Sequence, residues 1–288
     1  MLLGVAGLVK GDCRSIDGPT LDRAAELGFR TVQIRVNDPQ DVTDRDVARI
    51  KSLYAGHGFP MPQTVGNYGG GLVAEDGAAR SATIKFVKRM INLTARLGSP
   101  NTYFRPGSLN PQGPWKPHPR NRSQEVFDRL VDSAKQICAV ADNEGVKMAI
   151  EGGVVCPLYS ARRVRDFIDA VGSKSLCFNM DPVNFVGSIE QAYDTTALLN
   201  EFYDLLPDRI IGAHAKDFTL VEALLPHFEE EIIGQPRAML DEEAFLAGMQ
   251  RVCPNGHVLI EHLPDEKVPL AAEGLRAAAK RAGIKWDE

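Results

Sequence analysis

Eight times along this chain a short apolar run of strand length is followed by an amphipathic stretch of helical length. The runs fall at Leu2–Leu8, Thr31–Val36, Met61–Val65, Tyr103–Phe104, Met148–Ile150, Leu176–Met180, Ile210–Ala213 and Val258–Ile260. The helical stretches expected between them are Thr20–Leu27, Asp41–Tyr54, Ala74–Leu97, Ser123–Asn143, Ser160–Val171, Ser188–Leu206, Asp241–Val252 and Leu270–Arg281. An apolar run without polar alternation suits a strand buried on both faces, and parallel strands need a crossover between them, most often a helix. Gly28, Gly98 and Gly145 stand where helices should stop. Strict alternation of this kind predicts α/β structure and one (β/α)8 TIM barrel over residues 1–288. An open doubly wound sheet would want a glycine fingerprint after its first strand, and Gly4, Gly7 and Gly11 do not have that spacing.

Composition narrows the function classes. Apolar residues at 44% and charged residues at 25% are those of an ordinary globular chain. The net charge of −5 argues against a partner with a phosphate backbone, so no nucleic acid is expected. The five cysteines, Cys13, Cys138, Cys156, Cys177 and Cys253, are scattered and odd in number, which reads as reduced thiols in a cytoplasmic protein. Leu2–Val9 has no basic region before it and meets Lys10 at once, so it reads as a first strand and not a signal peptide. No run approaches the length needed to span a bilayer, and no membrane partner is expected.

The chemistry is concentrated where the last four apolar runs end. Glu151 follows Met148–Ile150, Asp181 follows Leu176–Met180, His214 follows Ile210–Ala213, and Glu261 follows Val258–Ile260. Four consecutive strands thus deliver one metal-competent side chain each at the same end of a barrel. Three carboxylates so placed repel one another unless a cation sits between them. Taken one at a time, each could be a strand-end polar residue satisfied by loop amides, and His214 a buried histidine with a hydrogen-bond partner. Their shared register favours a common role, because that end of a barrel is catalytic ground. Three oxygens and one nitrogen suit one divalent ion, Mn²⁺ or Mg²⁺, with Co²⁺ or Zn²⁺ as alternatives.

Three long connections lie on the same side: Gly66–Gly71, Pro106–Arg122 and Phe218–Leu240. The glycine loop has no following Lys-Ser/Thr pair and is expected to act as a lid or hinge before a phosphate cradle. Arg35, Gln63, Asn67 and Arg105 fall at or near the ends of strands two to four and would read substrate hydroxyls or a phosphate, Arg105 foremost. Asn184 and Lys216 complete the substrate-binding candidates. For Lys216 an oxyanionic substrate oxygen and an ion pair with Asp217 are equally good expectations. Trp115 and Tyr68 could stack on a substrate ring, or pack within their own loops.

Four segments carry a resemblance. Ile150-Glu151-Gly152, Asp181-Pro182-Val183-Asn184, His214-Ala215-Lys216-Asp217 and Ile260-Glu261-His262 resemble motifs of the xylose isomerase-like barrels, the sugar phosphate isomerase/epimerase family. That group includes ketose 3-epimerases, inosose dehydratase, hydroxypyruvate isomerase and, more distantly, endonuclease IV. In architecture the resemblance spans essentially the whole chain, but its specific motifs lie in the second half. It implies that Glu151, Asp181, His214 and Glu261 bind one divalent metal, and that the two glutamates also transfer the proton. One departure stands out: relatives usually have Asp-x-x-His where this chain has Asn184. An amide can hydrogen-bond a hydroxyl but is no acid or base near neutral pH. The histidines of the endonuclease IV zinc cluster are also not supplied.

The reaction can be reasoned from the residues. A hydroxy-ketone chelated through both oxygens has an acidified α-proton, because the cation stabilises the enediolate. One carboxylate removes that proton and another can return it. Three functions follow: isomerisation or epimerisation of a keto-sugar or polyol ketone; β-elimination from a keto-sugar or keto-inositol, by the same enolate but with loss of a leaving group; or a silent binding subunit, which intact ligands disfavour. The partner is a small sugar or polyol, and a homo-oligomer is left open.

Overall fold

A computed structural model describes residues 1–9, 11–69 and 71–287. Its strands are β1 (Leu2–Val5), β2 (Thr31–Val32), β3 (Ile34–Val36), β4 (Thr64–Gly66), β5 (Asn101–Phe104), β6 (Lys147–Ile150), β7 (Leu176–Met180), β8 (Ile210–Ala215), β9 (Asp217–Val221), β10 (His227–Glu231) and β11 (His257–Ile260). Its helices are α1 (Gly18–Glu26), α2 (Asp44–Gly56), α3 (Gly77–Leu97), α4 (Gln124–Glu144), α5 (Ala161–Val171), α6 (Ile189–Tyr193), α7 (Thr195–Leu205), α8 (Glu242–Val252) and α9 (Val268–Arg281).

The 9-stranded sheet has the order β2-β1-β11-β8-β7-β6-β5-β4-β3, parallel throughout. Its two ends are halves of one stave. β2 pairs with β1 and β3 pairs with β4, and the chain passes from one to the other at Gln33, whose N–H still donates to Val5 O at 3.0 Å. The sheet therefore closes into the expected (β/α)8 barrel. All five residues of β7 are buried, as an apolar strand between barrel interior and helix layer requires.

Local chemistry sets the helix ends. Thr43 and Asp46 exchange the two hydrogen bonds of a capping box at the start of α2. Gly98, Gly145 and Gly172 end α3, α4 and α5 in the left-handed conformation that glycine adopts without strain. Asp194 breaks the expected helix 188–206 in two, because its side chain caps α7 by accepting from Ala197 N–H. Other boundaries moved for equally local reasons. The third strand begins at Thr64, beyond Pro60 and Pro62, which lack a ladder donor. The first strand stops at Val5, and Leu8 takes φ +68°.

The largest correction concerns Phe218–Leu240, expected as a loop. It contains an antiparallel hairpin, β9 against β10, with Asp217 opposite Glu231 and Val221 opposite His227. Phe218 of β9 packs edge-on to Phe228 of β10 at 5.8 Å. Among the described residues no helix is long and apolar enough to cross a membrane.

Candidate metal centre

Backbone ladders carry the four candidate ligands to one point. Glu151 follows β6 and donates its N–H to Phe104 O; Glu261 follows β11 and donates to Ala215 O. Asp181 follows β7 directly. His214 lies inside β8 and not at its end, opposite Leu259 of β11. Ligand atoms of Glu151, Asp181, His214 and Glu261 all lie within 4.8 Å of one another. Gly152 and Gly153 let the segment after Glu151 pack closely against Leu158 and Asn184. A Cβ on Gly152 would lie 2.5 Å from Leu158 O, and one on Gly153 2.9 Å from Asn184 O.

The cluster is buried and electrostatically tense. His214 Nδ1 is 2.9 Å from Glu151 Oε1 and 3.0 Å from Glu261 Oε2, close enough for ion pairs, yet the atom has no hydrogen-bond partner. Asp181 Oδ1 is likewise buried without a partner. Burial would lower the His214 pKa, but the Glu261 and Glu151 carboxylates outweigh it and push it up to about 10. Burial pushes Asp181 up to about 8, opposed by Lys216 and reinforced by Glu151 and Glu261. Glu261 is held well below the usual carboxylate range, since His214 and Lys216 overcome its burial. An orphaned Asp181 oxygen and an orphaned imidazole nitrogen, converging with the carboxylates of Glu151 and Glu261, fit a divalent cation by donor type and by spacing.

The supporting side chains are mostly amides. Gln33 Nε2 donates to Gln63 Oε1 at 2.7 Å, and Gln63 Nε2 donates to Asn101 Oδ1 at 2.9 Å and Asn179 Oδ1 at 3.2 Å. Asn179 Nδ2 then donates to Glu151 Oε1 at 3.1 Å, and His214 Nε2 lies 3.4 Å from both Gln33 Nε2 and Gln63 Oε1. Glu151 Oε2 accepts from the Tyr103 hydroxyl at 2.9 Å and from Asn184 Nδ2 at 3.3 Å, and Asn184 Nδ2 also donates to Asp181 Oδ2 at 2.9 Å. Asn184 thus holds two carboxylates together.

Several expectations change position. Gln63 is buried in the amide layer and does not line the cavity, so it supports ligands where substrate contact was expected. Lys216 does not pair with Asp217. Its Nζ lies 2.8 Å from Asp181 Oδ2 and 3.0 Å from Glu261 Oε1, while Asp217 Oδ1 accepts from the N–H groups of Phe218, Met239 and Leu240. Tyr68 is no lid: its hydroxyl accepts from Arg105 N–H and its ring lies under the Arg105 guanidinium. Asn67 donates to Asn37 at 3.2 Å. Gly70, in the glycine loop expected to hinge, lies outside the described residues.

Over the cluster opens a cavity of about 430 Å³, lined by Arg35, Arg105, Trp115, Asn184 and Lys216 besides the glutamates. It also takes in Gln33, Tyr103, Glu230 and His262, none of which sequence reasoning assigned to the site. A period of two would have found the first two: Gln33 stands two before Arg35, and Tyr103 two before Arg105. Asn179, two before Asp181, answers to the same rule. Glu230 is brought by the unforeseen hairpin and accepts from His262 Nδ1 at 2.7 Å. His262 sits at φ +63°, and the hydrogen bond to Glu230, then the Glu261 charge, raise its pKa.

Comparison with known proteins gives a consistent picture. The crystal structure of a xylose isomerase domain protein from Planctomyces limnophilus superposes with TM-score 0.70 at 21% identity, covering 91% of this chain and 92% of that one. A D-tagatose 3-epimerase-like protein gives TM-score 0.75 at 15% identity, with 98% of each chain covered. The 3-keto-D-glucoside 4-epimerase of E. coli in its apo form gives 0.71 at 15% identity, covering 97% and 99%. A search of curated proteins by sequence found no match. The family model for xylose isomerase-like TIM barrels matches residues 21–283, and the chain belongs to that family.

Proposed function

We propose that this protein is a divalent-metal-dependent isomerase or epimerase of a keto-sugar or polyol ketone, with Glu151 and Glu261 transferring the proton. One observation carries the reading: Glu151 after β6 and Glu261 after β11 line one cavity with His214, and the buried Asp181 joins them, the ligand atoms of all four lying within 4.8 Å of one another. Glu151, Asp181, His214 and Glu261 are the ligands, and the donor set suits Mn²⁺ first, with Mg²⁺, Co²⁺ and Zn²⁺ as alternatives. When bound, the cation supplies Lewis-acid polarisation of a ketone and its neighbouring hydroxyl.

The chain's own residues supply the rest. Glu151 is fixed by three donors, Tyr103, Asn179 and Asn184, so its carboxylate is oriented before substrate arrives. Glu261 stays ionised beside Lys216, in the unprotonated form that a base requires. With strands β7 and β8 between them, the two glutamates address a substrate from different sides, one removing the α-proton and the other returning it. Trp115, Val154 and Val155 give the cavity an apolar wall. Names of the superposed epimerases agree with this reaction class.

A second reading, β-elimination, rests on His262. It lines the same cavity beside Glu261, and its raised pKa gives the site an acid for a departing hydroxyl. Solvent deuterium incorporation into a panel of ketoses, followed by mass spectrometry, tests both. Label gained without loss of water supports the isomerase, label with loss of water the lyase, and no label from any ketose with Mn²⁺ present rejects both.

A further inference from the structure

The glutamates occupy one half of the barrel mouth, and the other half is cationic. Arg35 of β3, Val65 of β4 and Tyr103 of β5 are partners in register, and all three line the cavity. Residues two apart share a face, so Arg105 follows Tyr103 into the same space. β3 and β5 are two strand spacings apart, about 10 Å.

These two arginines differ from the cations around them. Lys216 is neutralised by Asp181 and Glu261, and His262 is engaged by Glu230. Arg35 and Arg105 pair with no acid among the described residues. Arg105 is moreover held rigidly. Its Nη2 donates to Gly66 O and to Tyr68 O, its Cζ lies 4.6 Å from the Tyr68 ring centroid, and its Nε is buried without any partner. A fixed guanidinium with an unmet buried donor beside a cavity is costly to keep unless a ligand meets it. Charge points the same way. With Glu230 matched by His262, Glu151, Asp181 and Glu261 bring three negative charges to the cavity and its surroundings, and Lys216, Arg35 and Arg105 bring three positive ones. A divalent cation turns the balance positive, and the surplus lies on the arginine side.

Building on the proposed reaction, we infer that Arg35 and Arg105 form an anion subsite, and that the substrate is a keto-sugar carrying a carboxylate or phosphate at the end remote from the reacting ketone. Guanidinium groups suit both anions, through charge-assisted hydrogen bonds in a planar fork.

Three ligands of one stereochemistry test this: D-fructose, D-fructuronate, which is its 6-carboxylate, and D-fructose 6-phosphate. Calorimetric titration into the Mn²⁺-loaded protein should show at least one anionic ligand binding tenfold or more tighter than fructose, with the ratio shrinking as salt rises. Arg35→Gln and Arg105→Gln should each collapse that ratio, and Arg35→Lys should keep part of it. Whether fructuronate or the phosphate ester gains more identifies the anion. Equal affinities for all three, or a ratio that survives both glutamine variants, overturns the subsite. Solvent deuterium exchange on the same samples reports separately on the proposed reaction. Arginine-dependent anion binding without exchange would sink the isomerase reading and leave the subsite standing; exchange without anion preference would do the reverse. If none of the sugars binds, inorganic phosphate decides: thermal stabilisation of the metal-free parent that is lost in Arg105→Gln supports the subsite, and its absence rejects it.

Discussion

Lys216 Nζ lies 2.8 Å from Asp181 Oδ2, with both side chains closed off from solvent. The lysine also reaches Glu261, so one ammonium serves two of the three clustered carboxylates. Burial would lower its pKa, but Asp181 and Glu261 raise it, and the group stays charged at any working pH. Removing one partner of a buried ion pair leaves an uncompensated charge, at a cost of about 3–5 kcal/mol. Lys216→Met should therefore destabilise the metal-free protein by about that much in urea unfolding with EDTA present. Mn²⁺ should recover much of the loss, because a cation on the same carboxylates replaces the missing charge. A loss equal with and without Mn²⁺ would mean that Lys216 matters only for packing.

Metal binding should compete with protons. Asp181 is raised to about 8 and His214 to about 10, each protonated form being unable to donate its lone pair to a cation. Rising pH empties both groups, so Mn²⁺ affinity should climb steadily from pH 6 to 9. Calorimetry in buffers of different ionisation enthalpy should register protons released on binding. Asp181→Ala should lose most of the affinity at every pH. If it binds Mn²⁺ as tightly as the parent, the ligand assignment is wrong.

The barrel and the cluster of four candidate ligands were legible in the sequence for one shared physical reason. Parallel strands buried on both faces must be apolar throughout, so a charged residue such as Glu151 or Asp181 marks a strand end at once. The supporting layer was hidden because amides at Gln33, Gln63, Asn101 and Asn179 look like polar interruptions until closure of the barrel brings four strands together. Gln33 even splits its own stave into β2 and β3. Of the two expectations for Lys216, the pair with Asp217 failed because successive residues of an extended chain point to opposite sides. The hairpin was missed inside a segment read as loop, and with it the contact between Glu230 and His262.

Glu151→Gln and Glu261→Gln should each keep the fold and lose nearly all turnover. Loss of one acid–base group costs about 10²–10⁴-fold, and the missing ligand charge adds to that. Their exchange behaviour separates the mechanisms. In an epimerase, one variant still exchanges the α-proton from one stereoisomer without forming product. In a lyase, only the variant of the abstracting base loses exchange, and the other loses expulsion of the leaving group. Turnover within a few-fold of the parent in both variants would remove the two-glutamate mechanism. Asn184→His, which adds an ionisable group between Glu151 and Asp181, should shift substrate preference more than Mn²⁺ affinity, measured by competition kinetics beside calorimetry.

The hairpin that brings Glu230 to the cavity is tied down by two facing carboxyl groups. Asp217 Oδ1 accepts three backbone N–H groups, and Glu242 Oε1 accepts from Gly234 N–H at 2.8 Å. Burial, then the hydrogen bond and charge of Asp217, push Glu242 from 4.5 up to about 8. The folded protein therefore keeps a proton between the pair that the unfolded chain has already given up. Stability from this source is complete below pH 4.5, is lost as pH rises towards 8, and changes little beyond. Asp181 and His214 also titrate across part of this range, so the difference between parent and variant is the quantity to measure. Glu242→Gln keeps an oxygen for Gly234 N–H and a donor for Asp217, but has no proton to lose. In urea unfolding with EDTA present, it should gain on the parent steadily between pH 5 and 8.5. A parent–variant difference that stays constant over that range would show that the two carboxyl groups do not share a proton.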